Sequence, residues 1–333
     1  MPKLSDPLVI KNMELKNRIV MPPMANDFSG PEGEVNDRHL EHYRRRAEAE
    51  VALMIVEHSY VTPEGKLSAR QLGIYDDSLV SGLSILAEAI RGAGAKSTIQ
   101  LTHAGASTTD EICGCQPVGP SDVAVPGRGA IPRPLGIDEI KDLTRAHREG
   151  ARRAKEAGFD SIEIHGAHGF LLNQFVSPYT NRRTDQYGGT TGNRLRLTLE
   201  VIAAVREEVG PGYPLFYRFG ASDFMEGGLA IDEARLIAPM LTEAGIDVLD
   251  VSGGLCGSRP KEFAGVPGFF VPLAQSIKEV VDVPVIAVGG IVEAAFANSV
   301  IEEGKADLVA VGRALLKNPD WARQALQELK GNA

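Results

Sequence analysis

Eight times along this chain a short, apolar, β-branched run is followed by a loop and then by a helical stretch. The runs are Arg18–Met21, Ala52–Glu57, Ser97–Leu101, Ser161–His165, Leu215–Phe219, Val248–Val251, Val285–Val288 and Leu308–Val311. The helical stretches lie near Arg38–Glu50, Leu79–Gly92, Ile137–Ala157, Asn193–Val209, Ile231–Ala244, Val271–Val281, Val292–Glu303 and Ala314–Lys330. Ala157-Gly158 and Ala244-Gly245 read as helix ends, because glycine enters the left-handed region without steric cost. Asp138 and Glu139 suit a helix start, where the dipole is positive. Strands alternating with helices imply a parallel sheet covered by helices. Eight tandem units close such a sheet into a (β/α)8 TIM barrel; the alternative is an open, doubly wound sheet. Leu8–Leu15 reads as a short N-terminal β-hairpin ahead of the first barrel strand. No linker-like stretch interrupts the pattern, so residues 1–333 are expected to form one domain.

With 43% hydrophobic residues the chain can fill a large core. Its 35 basic and 44 acidic residues leave a net charge of −9, which opposes nonspecific attraction to nucleic acid. Met1-Pro2-Lys3-Leu4-Ser5-Asp6-Pro7 has no signal-peptide core, and no run of about 18 apolar residues occurs. A cytoplasmic protein with no membrane partner is expected. Three cysteines, Cys113, Cys115 and Cys256, are too few for a disulfide framework. Cys113-Gly114-Cys115 can open a metal site, but no further cysteines complete a four-thiolate set, so no metal is expected.

In Ser161-Ile162-Glu163-Ile164-His165 the isoleucines share one face and Ser, Glu and His the other. The isoleucines would meet the helices, leaving His165 at the barrel mouth, where such folds place their chemistry. His168 follows three residues on. Two imidazoles there can aim N–H donors at one carbonyl oxygen; they can also begin a metal site or hydrogen-bond within a loop. Gln100 and Arg218 close two other strands and converge on the same volume. The Gly/Pro-rich stretch from His103 to Gly136 exceeds an ordinary connector, which points to function or disorder; with Ser252–Phe270 it is expected to line the pocket.

Gly289-Gly290 follows the seventh run, and Gly312-Arg313 follows the eighth and opens a helix. Loops at these two places of a barrel frequently hold phosphate, with glycine admitting the backbone and Arg adding charge. No Gly-x-Gly-x-x-Gly follows a strand, so a dinucleotide domain is not indicated. A mononucleotide such as FMN fits better.

These motifs resemble the Old Yellow Enzyme family of FMN-dependent ene-reductases and NADH:flavin oxidoreductases. The resemblance covers nearly the whole chain: residues Leu15–Met24, Gln100–Gly105, His165–Gly189 with Asn193-Arg194, Ala287–Ile291 and Val311–Pro319. It implies that Pro22, Pro23, Met24 and Ala25 lie along the isoalloxazine, that Gln100 bonds its pyrimidine edge, and that Arg218 sits near N1 and the C2 carbonyl. Gly289, Gly290, Gly312 and Arg313 would hold the phosphate, and His165 and His168 the substrate carbonyl. It also implies a ping-pong reaction. NADH or NADPH reduces the flavin, and an electron-poor alkene then takes hydride from flavin N5. A homo-oligomer is compatible with the family.

The chain departs from the family pattern at three positions. Phe170 stands where a proton-donating Tyr is common, lining the substrate space without a proton to give. Ala25 replaces a Cys or Thr near N5, and Ala106 replaces an Arg. A flavin dehydrogenase working oxidatively, and a flavin-binding protein without ene-reductase turnover, are the alternatives. A phosphate-binding barrel isomerase or lyase follows from pattern alone. The iron–sulfur segment and extra nucleotide-binding domains of larger members have no counterpart in residues 1–333.

Overall fold

The computed structural model describes residues 1–128 and 131–331. Its twelve strands are β1 (Leu8–Ile10), β2 (Met13–Leu15), β3 (Ile19–Met21), β4 (Leu53–Tyr60), β5 (Lys96–Thr102), β6 (Val118–Gly119), β7 (Arg133–Pro134), β8 (Ser161–Gly166), β9 (Leu215–Gly220), β10 (Val248–Ser252), β11 (Val285–Ala287) and β12 (Leu308–Ala310). Eight of them close a parallel barrel in the order β3-β4-β5-β8-β9-β10-β11-β12, and β12 pairs back onto β3 through Val309–Ile19 and Ala310–Val20. All eight expected barrel strands form, each within a few residues of its expected bounds. The fold is the (β/α)8 barrel.

β1 and β2 form the expected antiparallel hairpin. Its Ile10, Met13 and Leu15 pack with Val20, Leu53, Ile55, Phe216, Val248, Ile286 and Leu308, inward residues of the barrel strands. The hairpin therefore stoppers the end opposite the strand C-termini. A second, larger core lies between barrel and helices, and it includes Met54, Val56, Ile99, Ile162 and Ile164. The two isoleucines of β8 thus meet the helical layer and turn Glu163 and His165 inward, as their alternation requires.

Gly158 (φ 85°) and Gly245 (φ 115°) follow their helices in the left-handed region. At the start of helix Ile137–Glu156, Glu139 accepts from the Gly136 N–H at 2.8 Å. The last helix departs from expectation. Ala314–Lys330 is not continuous but splits into Arg313–Lys317 and Trp321–Gly331. Pro319 is the cause: it has no N–H to donate, and it forces Asn318 out of the helical region, to φ −134°, ψ 98°. The stretch from His103 to Gly136 holds a helical turn, a short helix at Asp110–Cys113 and the parallel β6–β7 pair. No helix among the described residues is long and apolar enough to cross a membrane.

Candidate active site

A cavity of about 310 Å³ opens at the C-terminal ends of the barrel strands. Pro22, Pro23, Met24, Ala25, Gln100, His165, His168, Phe170, Arg218, Gly289, Gly290, Gly312 and Arg313 all line it. Every residue singled out from the sequence for cofactor or substrate therefore borders one volume. Ser252 joins them from the end of β10, Ser258, Arg259, Phe269 and Phe270 from the segment after it, and Arg128 from the segment between β6 and β7.

Strand register sets the floor. His165 pairs with Arg218 across β8 and β9, and Arg218 with Asp250 across β9 and β10. Gln100 pairs with Glu163 across β5 and β8. Gln100 donates from Nε2 to Glu163 Oε1 at 2.7 Å, and Arg218 donates from Nη1 to Asp250 Oδ2. Burial pushes the Glu163 carboxyl well above the usual range, the nearby Asp250 adds to this, and Arg218 opposes it. Burial raises Asp250 as well, against the pull of Arg218. Glu163 Oε2 and Asp250 Oδ1 are each buried without a donor. Two carboxylates so placed cannot both ionise; one proton held between them satisfies both oxygens. Two further orphans are Gln100 Oε1, an acceptor, and Arg218 Nε, a donor.

Both histidines are neutral. His165 Nδ1 accepts the Ala167 N–H at 3.3 Å, which leaves the proton on Nε2. Burial holds its pKa well below 6.5, helped by His168, His58 and Arg218. His168 is lowered likewise by burial and then by Arg218. Its backbone sits at φ 58°, an uncommon region for a non-glycine residue, tied by its N–H to Gly253 O at 3.1 Å and by Nε2 to Ser252 Oγ at 2.7 Å. The rings of His165 and His168 meet edge to face at 5.2 Å. The loop beneath them is pinned by the short helix Leu171–Val176: Asn173 Oδ1 accepts the Gly169 N–H at 2.8 Å, and Gln174 Nε2 donates to Gly169 O at 2.6 Å. Gly166 cannot carry a side chain, since a Cβ there would lie 1.8 Å from the Tyr217 hydroxyl.

His58, which sequence reasoning missed, also lines the cavity. Strict alternation along β4 would turn it outward with Met54 and Val56. The register of β4 against β5 slips between Val56 and Ser59, and such a bulge re-aims side chains. Ala106, by contrast, is buried away from the cavity beside Val125 and Leu255. Much of the segment after the histidines is structural. Asn181 Nδ2 donates to Phe175 O and Tyr187 O, both at 2.7 Å, and Arg194 Nε donates to Val176 O at 2.8 Å. Cys113, Cys115 and Cys256 are free thiols, and no group of three metal-ligating side chains occurs among the described residues.

The profile of the NADH:flavin oxidoreductase / NADH oxidase family matches residues 3–332. The chain belongs to this family. Against an NADH oxidase of Thermoanaerobacter brockii, this member of the NADH:flavin oxidoreductase family is 46% identical over 321 residues, 95% of the chain but 49% of that protein. It thus spans about half of that relative's length. With an NADPH dehydrogenase of Clostridium acetobutylicum it shares 43% identity, covering 95% of this chain and 92% of the relative. A solved old yellow enzyme homologue from Zymomonas mobilis superposes with a TM-score of 0.85 at 28% identity, over 98% of this chain and 93% of the other. FMN is the family's cofactor and a nicotinamide its reductant, which makes this chain an FMN-dependent oxidoreductase. The orphaned acceptor of Gln100 and the orphaned donor of Arg218 fit the imide N–H and the adjoining carbonyl of a flavin ring.

Proposed function

We propose that the protein reduces an activated C=C bond, of the α,β-unsaturated carbonyl type, at the expense of NADH or NADPH. Residues 1–333 act in this as one FMN-binding domain. FMN, when bound, supplies the hydride at N5. Pro22, Pro23, Met24 and Ala25 flank its ring, Gln100 and Arg218 hold the pyrimidine edge, and Gly289, Gly290, Gly312 and Arg313 hold the phosphate. His165 and His168 hydrogen-bond the substrate carbonyl and stabilise the enolate-like charge that develops as the β-carbon accepts hydride. Neutral imidazoles, with the His165 proton fixed on Nε2, do this without a proton transfer of their own. Phe170 gives no proton, and no Tyr or carboxyl side chain lines the described cavity. The α-carbon therefore takes its proton from water.

The observation that carries this proposal is the His165 tautomer, a backbone-fixed Nε2–H donor in a cavity ringed by the flavin-holding residues. Anaerobic mixing tests it. The purified protein should bind FMN, be bleached by NADPH or NADH, and regain its oxidised spectrum on adding 2-cyclohexenone. Bleaching of oxidised enzyme by a saturated ketone, with no response to the enone, would assign the oxidative direction instead.

A further inference from the structure

We propose that His58 and Arg128 form a second acceptor subsite in this cavity, which takes a carboxylate carried by the substrate in addition to the carbonyl held by His165 and His168. The subsite rests on the ene-reductase proposal for the carbonyl; the carboxylate adds the substrate class.

His58 is a donor of fixed orientation. Gln71 Oε1 accepts the Leu67 N–H at 2.6 Å, so the other end of that amide is its nitrogen. This nitrogen donates to His58 O at 2.9 Å and to His58 Nδ1 at 2.7 Å. With Nδ1 committed as an acceptor, the His58 proton is on Nε2. Burial lowers the His58 pKa, with Glu57 opposing, so the ring stays neutral. Nε2 makes no hydrogen bond to any described residue, and the side chain borders the cavity.

Arg128 meets it from the exposed rim. Its guanidinium has no ion pair or hydrogen bond among the described residues, and it lines the same cavity. Its charge lowers both His58 and His168, which sets it at the histidine end. The Phe170 ring packs against both histidines, 5.4 Å from His58 and 4.3 Å from His165. No Asp or Glu lines the described cavity, although the chain carries 44 of them. Among the described residues no carboxylate pairs with Arg128, and Glu57 and Asp27 act on His58 only through their charge. An anion leaving water needs charge-assisted partners, and a carboxylate can take one from each of these two side chains. The phosphates of the nicotinamide carry the same chemistry, so the experiment separates the two sources.

The FMN-loaded enzyme is titrated with 3-oxocyclohex-1-ene-1-carboxylate and with its methyl ester, and Kd is read from the perturbed absorbance of the oxidised flavin. The acid is expected to bind about ten-fold tighter than the ester. In Arg128→Gln and in His58→Phe, each checked for an intact flavin spectrum, that ratio should fall to about one. Equal Kd values in the unaltered enzyme overturn the proposal, as does a ratio that survives both substitutions. A surviving ratio together with a raised KM for NADPH in Arg128→Gln assigns Arg128 to the reductant's phosphates and also overturns it. If neither compound reoxidises the reduced enzyme, the ene-reductase proposal fails, while the titration still decides the subsite.

Discussion

Arg218 and Asp250 form an ion pair across adjacent strands with both side chains buried, so the cation facing the cavity is already partly neutralised from below. Their neighbour Glu163 adds a carboxyl but, sharing one proton with Asp250, brings no second full charge.

Removing the counter-charge should therefore make the flavin easier to reduce. Asp250→Asn is expected to raise the midpoint potential by roughly 30–60 mV, about 1.4–2.8 kcal/mol for a two-electron couple. Glu163→Gln should move it far less, because it replaces a group that already carries a proton. Dye-coupled potentiometric titration of the two variants decides this. Equal shifts would show that the proton is not shared as described.

His165→Ala removes one donor to the developing oxyanion. Loss of such a donor typically lowers the rate by about 10²–10³. The effect should fall on reoxidation by the enone, measured by stopped flow, while FMN stays bound. A variant that loses flavin, or that slows reduction by NADPH to the same degree, would speak against a substrate-side role.

Gly289 lies at φ 121°, and a Cβ there would sit 2.9 Å from the Phe270 nitrogen. Gly289→Ala must therefore shift either its own backbone or the loop carrying Phe269 and Phe270. FMN affinity should drop by ten-fold or more, about 1.4 kcal/mol, as read from flavin fluorescence on dilution.

The buried histidines make the fold sensitive to acid. His42 and His103 are held down to about 3 and His147 to about 4, in each case mainly by burial. Their ordinary value is 6.5, so below it the unfolded chain binds protons that the fold refuses. Stability is then fully present above pH 6.5 and is lost as pH falls, by roughly 1.4 kcal/mol per unit for each group. Glu163, Asp250 and Asp223, raised by burial, work in the opposite sense and offset part of the loss. Melting temperature should fall between pH 6.5 and 5, and His147→Gln should flatten the slope. A melting temperature constant over that range would contradict this balance.

The barrel was legible because its period is simple. The alternation in β8 turned His165 inward, and Gly289-Gly290 and Gly312-Arg313 after the last two strands marked two loops that border the cavity. His58 was hidden because alternation fails at a bulge, and a bulge depends on the partner strand rather than on local sequence. Arg128 gave no signal either; a lone arginine in a long loop reads as solvated surface until the fold brings it to the rim. The division of the last helix, however, was written in Pro319. Asn181 and Arg194 stood out as part of a specific motif, yet they serve the backbone of the loop rather than the cavity.

The backbone amide of Ala167 fixes which nitrogen of His165 bears the proton, and an amide does not titrate. The polarising groups of this pocket thus have no pH switch near neutrality. Its grip on a carbonyl should be as firm in mildly alkaline surroundings as at pH 7, and any pH optimum observed for turnover reports on the reductant, on the water that protonates the product, or on the survival of the fold.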